Sequence, residues 1–80
     1  MSQLTISQDW KTNMNKFKEN LKMLRQEAKM GQVELANALG VGKGTISLWE
    51  NGLREPGMAS IIMLCKFFNV SSDFLIGLED

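Results

Sequence analysis

Apolar residues recur along this chain at helical spacing. Trp10, Met14, Phe17, Leu21, Leu24 and Ala28 stand 4, 3, 4, 3 and 4 positions apart, which puts all six on one face of a helix. Lys16 to Lys29 is the centre of that prediction. Its start falls between Asp9 and Asn15, because Asn13 and Asn15 cap helices better than they extend them. Met30-Gly31 breaks the pattern. It resumes in QVELANAL with Val33, Leu35, Ala36 and Leu39, and Gly40 stops it. Residues 42–50 form the next predicted helix, with Ile46 and Trp49 three apart and Asn51-Gly52 as its stop. Leu53 to Gly57 reads as a loop. Met58 to Phe68 is apolar at 58, 61, 62, 64, 65 and 68, which predicts a buried helix ended by Asn69. Ser71 caps a short last helix through Phe74, Leu75 and Ile76, with Asp73 in its first turn and Gly77 as its stop. No alternating strand pattern and no internal repeat competes. The expected fold is all-α, a compact bundle of four to five short helices. Residues 1–12 are expected to be a flexible N-terminal tail or an extension of the first helix, and residues 13–80 the domain.

Eighty residues make one domain, with none spare for a separate catalytic unit. The lone cysteine, Cys65, has no internal partner, which fits a reducing cytoplasm; on its apolar helix face it reads as a structural thiol. No run of about 20 apolar residues is present, so no membrane span is expected. The N-terminal MSQLTISQDWK lacks the basic-then-apolar pattern of a secretory leader. There is no histidine, which weakens metal binding, nucleophile activation and acid–base catalysis together; neither an enzyme nor a metal or cofactor is expected. Net charge is zero, low for a nucleic-acid binder. The distribution is lopsided, however: residues 1–54 carry +3 and residues 55–80 carry −3. The two halves therefore differ in sign, as they would if one face of the molecule met phosphate and another did not.

The second and third predicted helices are joined by a turn at Gly40. A small side chain at Ala36 lets the two helices approach, and Gly40 can take the left-handed backbone a three-residue turn needs. Ile46 and Trp49 tuck the later helix onto the earlier one, while Leu35 and Leu39 seal the other side. What remains exposed is Lys43, Gly44, Thr45, Ser47 and Leu48. In a helix-turn-helix that surface is the one presented to the major groove of DNA.

The segment LKMLRQEAKMGQVELANALGVGKGTISLWENGLREP, followed by a helix and by NVSSDFLIGL, resembles the Cro/C1-type helix-turn-helix family, also called the XRE family, of phage and bacterial repressors. The likeness covers roughly residues 16–78 and rests on Gln32, ELA, LGV, TIS, WENG, Pro56 and VSSDFL in that order. It implies a bundle of the lambda-repressor-like type and a sequence-specific transcriptional regulator, a repressor in the first instance, that binds double-stranded DNA as a homodimer. Lys43, Gly44, Ser47 and Leu48 would then face base edges, joined by Thr45, whose methyl group suits thymine as Leu48 does. Gln32, Asn51 and Arg54 would hold backbone phosphates, helped by the helix N-terminal amides at Gly42. Arg25 and Glu50 match a family ion pair between the first helix and the end of the third. Leu75, Ile76 and Leu78 would form the dimer interface. No small-molecule ligand is evident.

Departures from the family pattern bear on readout. Gly31 and Gly42 stand where many members have Ser or Thr caps, which costs only a few tenths of a kcal/mol. Gly44 lies inside a helix, at about 0.8–1 kcal/mol against alanine, and has no side chain to read a base. Lys43 is thereby the only charged base-reading candidate, and DNA shape is expected to carry an unusual share of the specificity. A second reading makes the domain a protein-interaction module, such as an antitoxin or anti-repressor subunit, that does not rely on its DNA face.

Overall fold

The structure is a computed structural model, and it describes residues 16–78. The expectations placed on residues 1–12, Trp10 and Met14, and the start of the first helix, lie outside the described residues. Within them the chain forms five helices and no strand: α1 over 16–27, α2 Gln32–Leu39, α3 Lys43–Glu50, α4 Met58–Phe68 and α5 Ser72–Ile76. The core that joins them consists of Phe17 and Leu21 from α1, Leu35, Ala36 and Leu39 from α2, Ile46 and Trp49 from α3, Leu64 from α4 and Leu75 from α5. Every helix therefore contributes at least one residue to a shared core, and no helix is stable on its own at these lengths. Most of the favourable energy is the removal of these side chains from water, about 1.5–3 kcal/mol for a fully buried Leu or Phe.

Helix ends follow local chemistry. α1 stops at residue 27 through Lys29, which takes a left-handed backbone at φ 58°. The Met30 amide donates to the Arg25 carbonyl at 3.1 Å and the Lys29 amide to the Gln26 carbonyl at 2.9 Å, closing the helix in the usual left-handed cap. The sequence pattern put this stop at Met30-Gly31. Gly31 instead has φ −80° and opens α2, where its amide donates to Glu34 Oε1 at 2.6 Å. α2 ends at Gly40, φ 73°, where the Val41 amide reaches the Ala36 carbonyl at 3.0 Å. Glycine is favoured here, since most side chains are strained in that conformation. Ser71 caps α5 by accepting from the Phe74 amide at 3.0 Å. Asn20 of α1 then ties α5 down, its side-chain amide donating to the Phe74 carbonyl at 2.9 Å. At Gly77, φ 90°, a Cβ would stand 2.5 Å from Cβ of Lys16, so glycine lets the end of α5 close on α1.

Three apolar expectations change. Val33 is 53% exposed and does not join the α2 stripe. Ala28 is exposed in the turn after α1. α4 is not a buried helix: Leu64 alone is fully buried, Ile61, Cys65 and Phe68 pack partly against the core, and Met58 and Ile62 face solvent. α4 is apolar around most of its circumference, so periodicity could not say which side has a partner.

Candidate nucleic-acid interface

α2 and α3 pack on each other, and three residues, Gly40 to Gly42, join them. The buried side of α3 is Ile46, Trp49 and Glu50. Those positions are three and four apart, so they form one stripe, and Gly44 and Leu48 lie opposite it. Lys43 and Gly44 are exposed; Thr45, Ser47 and Leu48 are half-buried. Gly44 and Leu48 therefore lie on the outward face of α3, Thr45 and Ser47 flank it, and Lys43 is exposed in the first turn. Gly42 precedes them as an exposed N-cap with extended backbone and no side-chain bond to the helix amides.

Glu50 is the one buried charged residue among the described residues. A carboxylate taken from water needs partners, and it has three bonds. Arg25 Nε donates to Oε2 at 2.6 Å and Arg25 Nη2 to Oε1 at 3.0 Å, a two-pronged ion pair. Gln32 Nε2 donates to Oε1 at 3.1 Å. Arg25 Nη1 meanwhile donates to the Met30 carbonyl at 2.8 Å. One carboxylate thus joins the end of α3 to α1, to the first turn of α2 and to the loop between them. The hydrogen bond from Arg25 to Glu50 raises the arginine pKa most, burial opposes it, and the charge of Glu50 adds to the rise. No buried side-chain nitrogen or oxygen among the described residues lacks a partner.

The family resemblance puts Gln32 at a phosphate. Its side-chain amide is half-buried and spends one N–H on Glu50, which leaves the other N–H and the α2 backbone amide for an outside acceptor. Asn51 is exposed and its Nδ2 donates to the Ser47 carbonyl at 2.9 Å and to Ser47 Oγ at 3.3 Å. Arg54 is exposed in the loop after α3. Sequence reasoning missed the Gln32–Glu50 and Ser47–Asn51 bonds. The second is a four-residue spacing on a helix and was open to detection.

The dimer expectation needs a correction at Leu75. Its side chain is fully buried in its own core, so it has no surface for a partner. Ile76 is half-buried and Leu78 is 58% exposed. Cys65 is half-buried, and burial pushes its thiol pKa up, away from the reactive thiolate.

A helix-turn-helix family model matches residues 21–75, from the middle of α1 into α5. The chain belongs to the Cro/C1-type helix-turn-helix family. Within that family it is 39% identical over 64 residues to the HTH-type transcriptional activator BcrR of Enterococcus faecalis, a match covering 80% of this chain and 31% of BcrR. It is 37% identical over 54 residues to the cryptic phage CTXphi transcriptional repressor RstR of Vibrio cholerae, covering 68% of this chain and 49% of RstR. The chain thus spans about a third to a half of the length of these curated relatives. The solution structure of the SOS-response transcriptional repressor LexA from Eubacterium rectale superposes with a TM-score of 0.77 at 30% identity, over 86% of this chain and 71% of that one. Helix-turn-helix domains of this family are non-enzymatic. Among the described residues no helix is long and apolar enough to cross a membrane.

Proposed function

We propose that this domain binds double-stranded DNA as the reading head of a transcriptional regulator, with α3 in the major groove. The observation that carries the reading is the side of α3 turned away from Ile46, Trp49 and Glu50, where Lys43 and Gly44 are exposed and Thr45, Ser47 and Leu48 half-buried, on a helix whose end is tied to α1 and α2 by the buried Glu50 network. The uncapped amides at Gly42 suit a phosphate at the entrance to the helix. Asn51 and Arg54 supply further phosphate contacts at its far end, and Gln32 one from α2. Occlusion of a promoter would make the protein a repressor acting in the cytoplasm.

Few side chains read bases directly, so groove width and deformability carry part of the choice of site. Selection of bound duplexes from a random DNA pool tests the reading. The expected outcome is a bipartite motif with half-sites about 10–10.5 bp apart or a multiple. With about three cations per subunit on phosphates, log K against log salt should fall with a slope near −5 for a dimer. An affinity independent of salt, or no retention of any duplex at low salt, sinks the proposal and favours the interaction-module reading.

Two-fold binding needs a second copy. With Leu75 internal, the exposed apolar surface beside it is Leu78 and part of Ile76. Leu78→Glu is expected to raise the dimer dissociation constant at least about tenfold, by removing one apolar contact and burying a charge in its place. Sedimentation equilibrium measures it, and thermal melting should show an intact fold. An unchanged dimer would move the interface elsewhere.

A further inference from the structure

Gly44 is the one glycine inside a described helix, and nothing in the protein asks for it. An ideal Cβ built there meets no heavy atom within 4 Å. Its backbone is not left-handed, unlike Gly40, Gly52 and Gly77, whose φ values are 73°, 71° and 90°. Packing therefore has room for a side chain, backbone geometry permits one, and helix propensity prefers one. A glycine at a position where the fold would do better with alanine points outside the molecule.

The outside surface at that point is the middle of the face opposite Ile46, Trp49 and Glu50. Around Gly44 stand Thr45, Ser47 and Leu48, none of them long and flexible like lysine or arginine and all half-buried. Such side chains reach base edges only if the helix axis lies deep in the groove. A Cβ at Gly44 would add bulk to that face one turn before Leu48, nearest the start of the helix, and would hold the first turn off by about the thickness of a methyl group.

Resting on the DNA-binding reading, we propose that Gly44 sets the depth at which α3 lies in the major groove. It is a positioning residue. It reads no base itself, and it brings Thr45, Ser47 and Leu48 within reach of theirs. Loose association with the phosphates needs no such depth, because that electrostatic term is independent of sequence. The bare position therefore governs specific binding and leaves non-specific binding alone.

The test uses the full chain, a duplex selected from a random pool by the unaltered protein, and a random-sequence 24-bp duplex at low salt. Gly44→Ala is expected to raise Tm by roughly 4–8 °C, the gain of replacing a helical glycine in a domain this small. It should bind the selected duplex about tenfold more weakly, on the scale of one mismatched base pair. Binding to the random duplex should stay within about twofold. Gly57→Ala is the control, since a Cβ at that cap also meets nothing within 4 Å, and it should leave both affinities unchanged. Equal affinity of Gly44→Ala and the unaltered protein for the selected duplex overturns the proposal. So does an equal loss on both duplexes, which would make the effect general. If the unaltered protein retains no duplex at all, the DNA-binding reading fails, and this inference with it.

Discussion

Arg25→Ala is expected to destabilise the domain by about 3–5 kcal/mol, the cost of leaving a buried charge without its partner. The Arg25 and Glu50 side chains are only 11% and 3% exposed. Truncating Arg25 strips both prongs from the carboxylate, leaves it with the Gln32 amide alone, and frees the Met30 carbonyl. Small domains hold about 0.05–0.15 kcal/mol per residue in reserve, so this loss consumes a large part of the total. Urea titration reads it: with a slope near 1 kcal/mol/M, the midpoint should fall by roughly 3–5 M. A loss under about 1 kcal/mol would place the pair among ordinary surface ion pairs. Exchanging both charges, as Arg25→Met with Glu50→Leu, should recover much of the loss, because the penalty lies in the orphaned charge. If the double variant is as unstable as the single one, shape rather than charge is at fault.

The raised arginine pKa fixes the pH window of that contribution. A folded pKa above the unfolded one gives stability that is complete below the unfolded value and fades only as pH rises through the folded one. For arginine both lie far above neutrality, so Arg25 holds its charge and its bonds throughout the working range of a cell.

The turn between α2 and α3 was legible in the sequence because several local rules agree there. Gly40 needs its left-handed backbone, Ala36 its small side chain, and Ile46 and Trp49 share a face. The stop of α1 was less legible. The break at Met30-Gly31 says that the helix ends but not which residue turns left-handed; Lys29 does, because its amide and that of Met30 are the ones in register with the last free carbonyls. α4 marks another limit: Met58 and Ile62 are as apolar as Ile61 and Leu64, and only the placement of α1, α2 and α5 decides which of them meet a neighbour. The same holds at Leu75, which docking of α5 on α1 through Asn20 carries inward. Composition never marks Gln32 as a partner of Glu50. That contact arises from the crossing of α2 and α3, which no periodicity encodes.

Lys43→Ala should weaken binding to the selected DNA site by about 1–3 kcal/mol and relax the preference at one base pair. The lysine stands exposed in the first turn of α3 and makes no ion pair among the described residues. That is a poor place for a cation as far as the helix is concerned, because the helix N-terminus is its positive end. No acidic residue in the first turn offsets it. Removing the charge should therefore leave Tm unchanged or slightly higher while DNA affinity falls. Opposite signs in the two measurements separate a functional lysine from a structural one. The expected base is guanine, whose O6 and N7 accept from lysine in the major groove. Repeating the selection with the variant shows which position has lost its preference. A loss spread evenly over all sequences, with the salt slope reduced by about 1, would reassign Lys43 to a phosphate. No loss at all would mean that α3 does not lie in the groove by this face.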